Sequence, residues 1–162
     1  MEAKNTTEDQ IAMNCACFNV RKAARAVTQL YDRVLKPTGL RGTQFTLLIA
    51  LSRRGDIGIS QLADALIMER TTLTRNLKPL EKQGLVAVAE GSDRRTRTVR
   101  ITAQGQEKIR QAIPYWEEAQ TVIAEGLGSK SMAVMLNTVS KLPWLKGYNE
   151  PDHQHMQPGK GV

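Results

Sequence analysis

The sequence predicts a mainly α fold that carries one two-stranded β wing. Apolar residues recur at three- and four-residue spacing along most of the 162 residues, the repeat of a helix with one buried face. The repeat shortens to two between Leu85 and Thr102, and Gly or Pro stands where segments change. A hydrophobic content of 41% suits one compact core and argues against disorder throughout.

Residues 1–10 are polar and read as a flexible N-terminus. From Ile11 to Leu35, Phe18, Ala24, Val27, Tyr31 and Val34/Leu35 mark one face of a long helix, which Pro37 and Gly39 end. A second helix spans Thr43 to Arg53 through Phe45, Leu47, Leu48 and Leu51. A short third helix opens at Ile59-Ser60, where Ser60 is placed to cap the first turn. A fourth begins near residues 69–72 and runs to Gln83, with Gly84 as its stop. Leu85–Glu90 then reads as a strand, Gly91-Ser92-Asp93 as a turn, and Thr96–Thr102 as a second strand with Val99 and Ile101 on one face. Thr102 caps a long fifth helix over residues 103–125, which Pro114 should kink. A sixth helix covers residues 131–142, and residues 143–162 form an extended or disordered tail.

Two short helices followed by a hairpin make a winged helix-turn-helix domain, here residues 40–102. Residues 11–36 and 103–142 bracket it as a helical dimerisation region whose apolar faces have few partners within one chain. A homodimer would cover those faces, and its two-fold axis would suit palindromic DNA. The alternative is a monomer in which they cover each other.

The formal charge is +7, which points to a polyanionic partner without identifying it. Residues 69–100 hold eight Lys/Arg against four Asp/Glu, whereas residues 101–162 hold six of each. The basic excess is therefore densest in the fourth helix and the hairpin, not in a terminal tail. In the fourth helix, Leu73, Leu77 and Leu80 share the inner face by spacing. Thr71, Thr72, Thr74, Arg75, Asn76 and Lys78 occupy the remainder. Arg can pair with guanine, Asn with adenine, and Thr can touch a thymine methyl or a phosphate. Arg70 and Lys78 suit phosphates, which set position without reading sequence. Pro79 predicts a bend beyond Lys78, or a helix that starts later. At the hairpin tip Arg94, Arg95 and Arg97 are candidates for the minor groove, and Asp93 is placed to brace an arginine. A solvated charged turn is the plainer reading of that tip.

These motifs resemble the MarR family of winged-helix regulators over about residues 12–142. The resemblance rests on Ile59-Ser60-Gln61-Leu62-Ala63, Arg70-Thr71-Thr72-Leu73-Thr74-Arg75, Leu80-Glu81-Lys82-Gln83-Gly84-Leu85-Val86, Asp93-x-Arg95 and Ile101-Thr102-x-x-Gly105. It implies a DNA-binding homodimer, a repressor in most members. Thr71–Lys78 would enter major grooves and Arg95 the minor groove. It also implies a crevice for a small aromatic or apolar effector, for which Val20, Phe45, Leu48 and Trp116 are candidates. Helix 1 is similar to the organic-hydroperoxide-sensing OhrR branch, where Cys17 and Tyr31 fall at the places of the reactive cysteine and a supporting tyrosine. A second tyrosine of that branch is replaced by Gly42. Cys17 therefore reads either as a small core residue or as a redox thiol. Cys15 and Cys17, two apart on one helix, would make a strained disulfide.

Other classes fit poorly. His153 and His155 lie in the tail without a ligand set at metal spacing. No phosphate-cradling Gly loop or nucleophile elbow occurs, so neither enzyme nor cofactor is expected. A winged-helix module that binds proteins is the remaining alternative. The polar N-terminus Met1-Glu2-Ala3-Lys4-Asn5 and the lack of a long apolar run predict a cytoplasmic protein without membrane association.

Overall fold

The computed structural model describes residues 6–90 and 97–144. The proposed flexible N-terminus is helical from Thr7 onward: α1 spans Thr7–Asn14. Thr6 and Asp9 cap it reciprocally, the Thr6 hydroxyl accepting from the Asp9 N–H at 3.3 Å and the Asp9 carboxylate from the Thr6 N–H at 3.1 Å. The long first helix is in fact two. Cys15 leaves the helical region (φ −72°, ψ 112°), and α2 runs over Ala16–Val34. The Asn19 side chain donates to the carbonyls of Ala12, Met13 and Cys15 at 3.2, 3.2 and 2.9 Å. The Ala12 and Met13 carbonyls belong to the α1 terminus, where helical donors run out, and Cys15 is the N-cap of α2, so one side chain bridges the break.

A 3-10 turn at Lys36–Thr38 leads to α3, Gly42–Arg54. Strand β1, Ile57–Gly58, is followed by α4, Ile59–Ala65, and α5, Arg70–Lys82. Strands β2, Val86–Glu90, and β3, Arg97–Ile101, precede α6, Ala103–Leu127, and α7, Ser129–Val139. The sheet has three strands in the order β1-β3-β2, one more than the hairpin expected. Its register pairs Val88 with Val99, and Ile57 with Val99 on the other side. Two residues of β1 are too few to show alternation in sequence. The α4 cap also differs from expectation. Gly58 is the N-cap, its N–H bonded to the Gln61 side chain at 3.2 Å, and Ser60 lies exposed within the first turn. Thr102 does cap α6, accepting from the Gly105 N–H at 3.0 Å and donating to the Gly84 carbonyl at 2.7 Å. Pro79 and Pro114 lie inside α5 and α6, and each helix continues as one element through its proline.

The core lies mainly in the winged module and the first half of α6, joined by Leu35 just after α2. Phe45, Leu47, Leu48 and Leu51 of α3 meet Leu62 of α4, Leu73, Leu77 and Leu80 of α5, Val86 and Val99 of the sheet, and Ile109 and Ala112 of α6. Helices α1, α2 and α7 contain no buried residue.

Between α4 and α5 the chain closes with Ile67 N–H on the Asp64 carbonyl at 3.0 Å and Met68 N–H on the Ala63 carbonyl at 2.9 Å. This is the double hydrogen bond of a helix C-terminus that favours glycine. Here the left-handed position, φ +52°, is held by Ile67, at a cost of about 1–2 kcal/mol. Ile67 is 50% exposed, so its side chain contributes little burial in return. Ile67→Gly is therefore expected to raise the stability by about 0.5–1 kcal/mol, the extra chain entropy of glycine offsetting part of the relief. A urea midpoint below that of the wild type would count against this account.

Candidate nucleic-acid interface

Helix α5 is fixed from behind. Leu73, Leu77 and Leu80 are 0–2% exposed and seat it against α3 and α4. Their i, i+4, i+7 spacing leaves Arg70, Thr71, Arg75 and Lys78 exposed on the other side. No acidic residue lies within Arg70–Lys78. Three cationic side chains and a threonine thus stand on one rigid solvent-facing surface, behind a tight turn from α4.

The remaining candidates on this helix are held differently. Thr72, Thr74 and Asn76 are half-buried. The Thr74 hydroxyl donates to the Arg70 carbonyl at 2.8 Å, within the helix. The Asn76 amide is directed to the Met68 sulfur at 3.9 Å. Reading adenine requires both the oxygen and the nitrogen of an asparagine amide to face the base, so Asn76 would have to leave Met68 to do so. Sequence spacing misses this because it gives a residue's angle around the helix and not where its amide turns.

In the wing, Arg97 is exposed at the start of β3, opposite Glu90. Arg100, which spacing places on the solvent face with Thr98, is exposed as well. Asp93, Arg94 and Arg95 lie outside the described residues.

Gly105, part of the motif after the wing, has a physical role. A Cβ there would stand 2.1 Å from the Leu85 carbonyl oxygen and 2.7 Å from the Ile101 side chain. Only glycine lets α6 approach the base of the wing this closely, and that approach holds the wing beside α5.

The four crevice candidates differ in burial. Phe45 and Leu48 are core residues at 6% and 0% exposure, whereas Val20 and Trp116 lie outside that cluster on exposed helix surface. Cys17 is exposed in the single chain, outside its core. Cys15 is not within a helix at all: it is the N-cap of α2, its sulfur accepting from the Phe18 N–H at 3.5 Å. The strain argument for two cysteines on one helix therefore does not apply. The Tyr31 hydroxyl donates to Gln120 Oε1 at 2.6 Å. Burial raises the Tyr31 pKa above the ordinary tyrosine value, which keeps the phenol a donor.

Residues 40–96 match the MarR family. The chain is 29% identical over 89 residues to YwoH of Bacillus subtilis (strain 168), an uncharacterized HTH-type transcriptional regulator. That match covers 55% of this chain and 65% of the relative, just under two thirds of its length. It is 30% identical over 99 residues to the HTH-type transcriptional regulator SarZ of Staphylococcus haemolyticus, covering 60% of this chain and 67% of that one. Among solved structures it is similar to the M. tuberculosis transcriptional regulator MosR in complex with DNA. The identity is 36%, the TM-score 0.66, and the match covers 82% of this chain and all of MosR in that structure.

Proposed function

The chain belongs to the MarR family of transcriptional regulators, and on that premise we propose that it is a homodimeric repressor of a palindromic operator, released by a small effector. It is a DNA-binding transcriptional regulator. The observation that supports the DNA contact is the solvent-facing Arg70, Thr71, Arg75 and Lys78 on a helix whose leucines are buried. Two copies of α5 would enter successive major grooves, and the wing arginines would lie along the flanking backbone or minor groove. The test is selection from a pool of random duplexes, followed by titration of the selected duplex at several salt concentrations. Affinity should fall steeply with salt, since each phosphate neutralised adds about −0.9 to the slope. Failure to enrich any duplex would leave the protein-binding reading of the fold in its place.

The dimer is supported by the apolar side chains that one chain leaves open. Phe18 is 52% exposed on α2, Val122 45% on α6, and Val134 and Leu136 65% and 49% on α7. A partner subunit packed on these helices would cover them. Sedimentation equilibrium should give a mass near twice the chain's 18.0 kDa; a monomer at micromolar concentration would refute the dimer. The effector rests on family membership, and candidates are small aromatic or apolar compounds. No helix among the described residues is long and apolar enough to cross a membrane, and we place the regulator in the cytoplasm.

The exposure of Cys17 supports a second mode of release, because a sensor thiol needs access. Cumene hydroperoxide should then dissociate the wild-type complex and leave the Cys17→Ser complex intact. Equal release from both proteins would exclude Cys17 as the sensor.

A further inference from the structure

Helix α2 meets the winged module at one crowded point. Asp32 Oδ1 accepts from the Gly42 N–H at 2.7 Å, at the first residue of α3. That N–H is one of the four a helix leaves without an internal partner, so the carboxylate both satisfies it and faces the positive end of the helix. Gly42 is itself buried, and a Cβ on it would lie 3.0 Å from the Tyr31 Cβ. The start of α3 therefore packs closely on α2, against the Tyr31 Cβ and the Asp32 carboxylate.

Two more hydrogen bonds keep this point from moving. The Tyr31 hydroxyl ties α2 to α6 through Gln120 at 2.6 Å. The Lys108 ammonium of α6 donates to the Thr38 carbonyl at 3.2 Å, in the turn just before α3. Helices α3 and α5 share one core, so a tilt of α3 at Gly42 carries α5 with it. A 13-residue helix is about 20 Å long, and a tilt of about 10° moves its far end by about 3 Å. One base-pair step is about 3.4 Å along duplex DNA. A small rotation at this contact thus shifts the module by about the rise of one base-pair step.

We propose that Asp32 is a positioning residue for DNA binding: its bond to Gly42, against Tyr31, sets the angle between the dimerisation helices and the winged module and so selects the spacing between half-sites. This rests on the reading of the chain as a dimeric DNA-binding regulator. Asp32 touches no DNA in this account and acts through α3.

The experiment starts from the duplex selected by the full-length wild type. Duplexes with one base pair inserted or removed between the half-sites, and one carrying a single half-site, are titrated by fluorescence anisotropy. Wild type should prefer the selected spacing by at least tenfold. Asp32→Ala should lose that preference, binding the three spacings within about threefold of one another, while its affinity for the single half-site stays within about twofold. Asp32→Asn retains an oxygen that accepts from the Gly42 N–H and should restore the preference. A variant that is merely less folded would lose affinity for all duplexes alike, half-site included, and that result overturns the proposal. So does an Asp32→Ala profile identical to wild type. If Asp32→Ala does not accumulate as folded protein, Gly42→Ala, whose Cβ would crowd the Tyr31 Cβ at 3.0 Å, must shift or flatten the profile, and an unchanged profile there is equally fatal. A wild type that selects no duplex overturns the functional reading itself and is distinguishable from these outcomes.

Discussion

Gly105→Ala is expected to lower stability by about 3 kcal/mol or more. Overpacking commonly costs about 1–3 kcal/mol when neighbouring side chains can shift. Here the obstructing atom is the Leu85 carbonyl oxygen, 2.1 Å from the added carbon. Leu85 cannot retreat freely, because its carbonyl accepts from the Thr102 N–H at 3.1 Å and its own N–H donates to the Leu80 carbonyl at 2.9 Å. The clash would therefore separate α6 from the start of the wing and weaken the junction that Thr102 caps. For a chain of this size the melting midpoint should fall by about 10 °C at equal protomer concentration. Thermal unfolding followed by circular dichroism measures it; a fall under 2 °C would falsify the close-approach account. DNA affinity should fall too, through displacement of the wing.

Arg75→Ala should have the largest effect on binding among substitutions on α5. Arg75 is exposed beside the buried Leu73–Leu77 seam and has no acidic neighbour on its stretch of helix. A bidentate arginine–guanine pair is worth about 1–3 kcal/mol, and a two-fold dimer would lose it twice. The expected loss is thus on the order of 30-fold to 20,000-fold on the selected duplex, with little change in melting temperature. The manner of the loss identifies the contact. A base contact shows as relaxed sequence preference at one position of each half-site, whereas a phosphate contact shows as a uniform loss and a shallower salt dependence. Arg75→Ala binding within threefold of wild type would remove α5 from the interface.

Much of this was legible from residue order alone. The spacing of Leu73, Leu77 and Leu80 located the buried side of α5, and their burial agrees with it. Gly84 and Thr102 marked the ends of α5 and α6, where they stand in the structure. These features are local: a periodic face, a stop or a cap is decided by residues three or four apart. The division of α1 from α2 is different. Apolar spacing passes through Cys15 without interruption, and the break is stabilised by Asn19 reaching back to Ala12 and Met13. A side chain that caps a preceding helix leaves no trace in periodicity.

The sequence by itself determined the order of helices from α2 onward, the wing, the basic surface of α5 and, through its motifs, the family. The tertiary structure alone decided which of those residues are free to act. It turned the Asn76 amide toward Met68, left Cys17 exposed in the single chain and drew Phe45 and Leu48 into the core while Val20 and Trp116 stay exposed. It also decided why Gly42 and Gly105 are glycines, since each lies where a distant segment approaches within contact distance. The physical reason is the range of the forces involved. Helix formation and hydrophobic patterning act between near neighbours in the chain, whereas side-chain orientation and close approach depend on segments that only folding brings together.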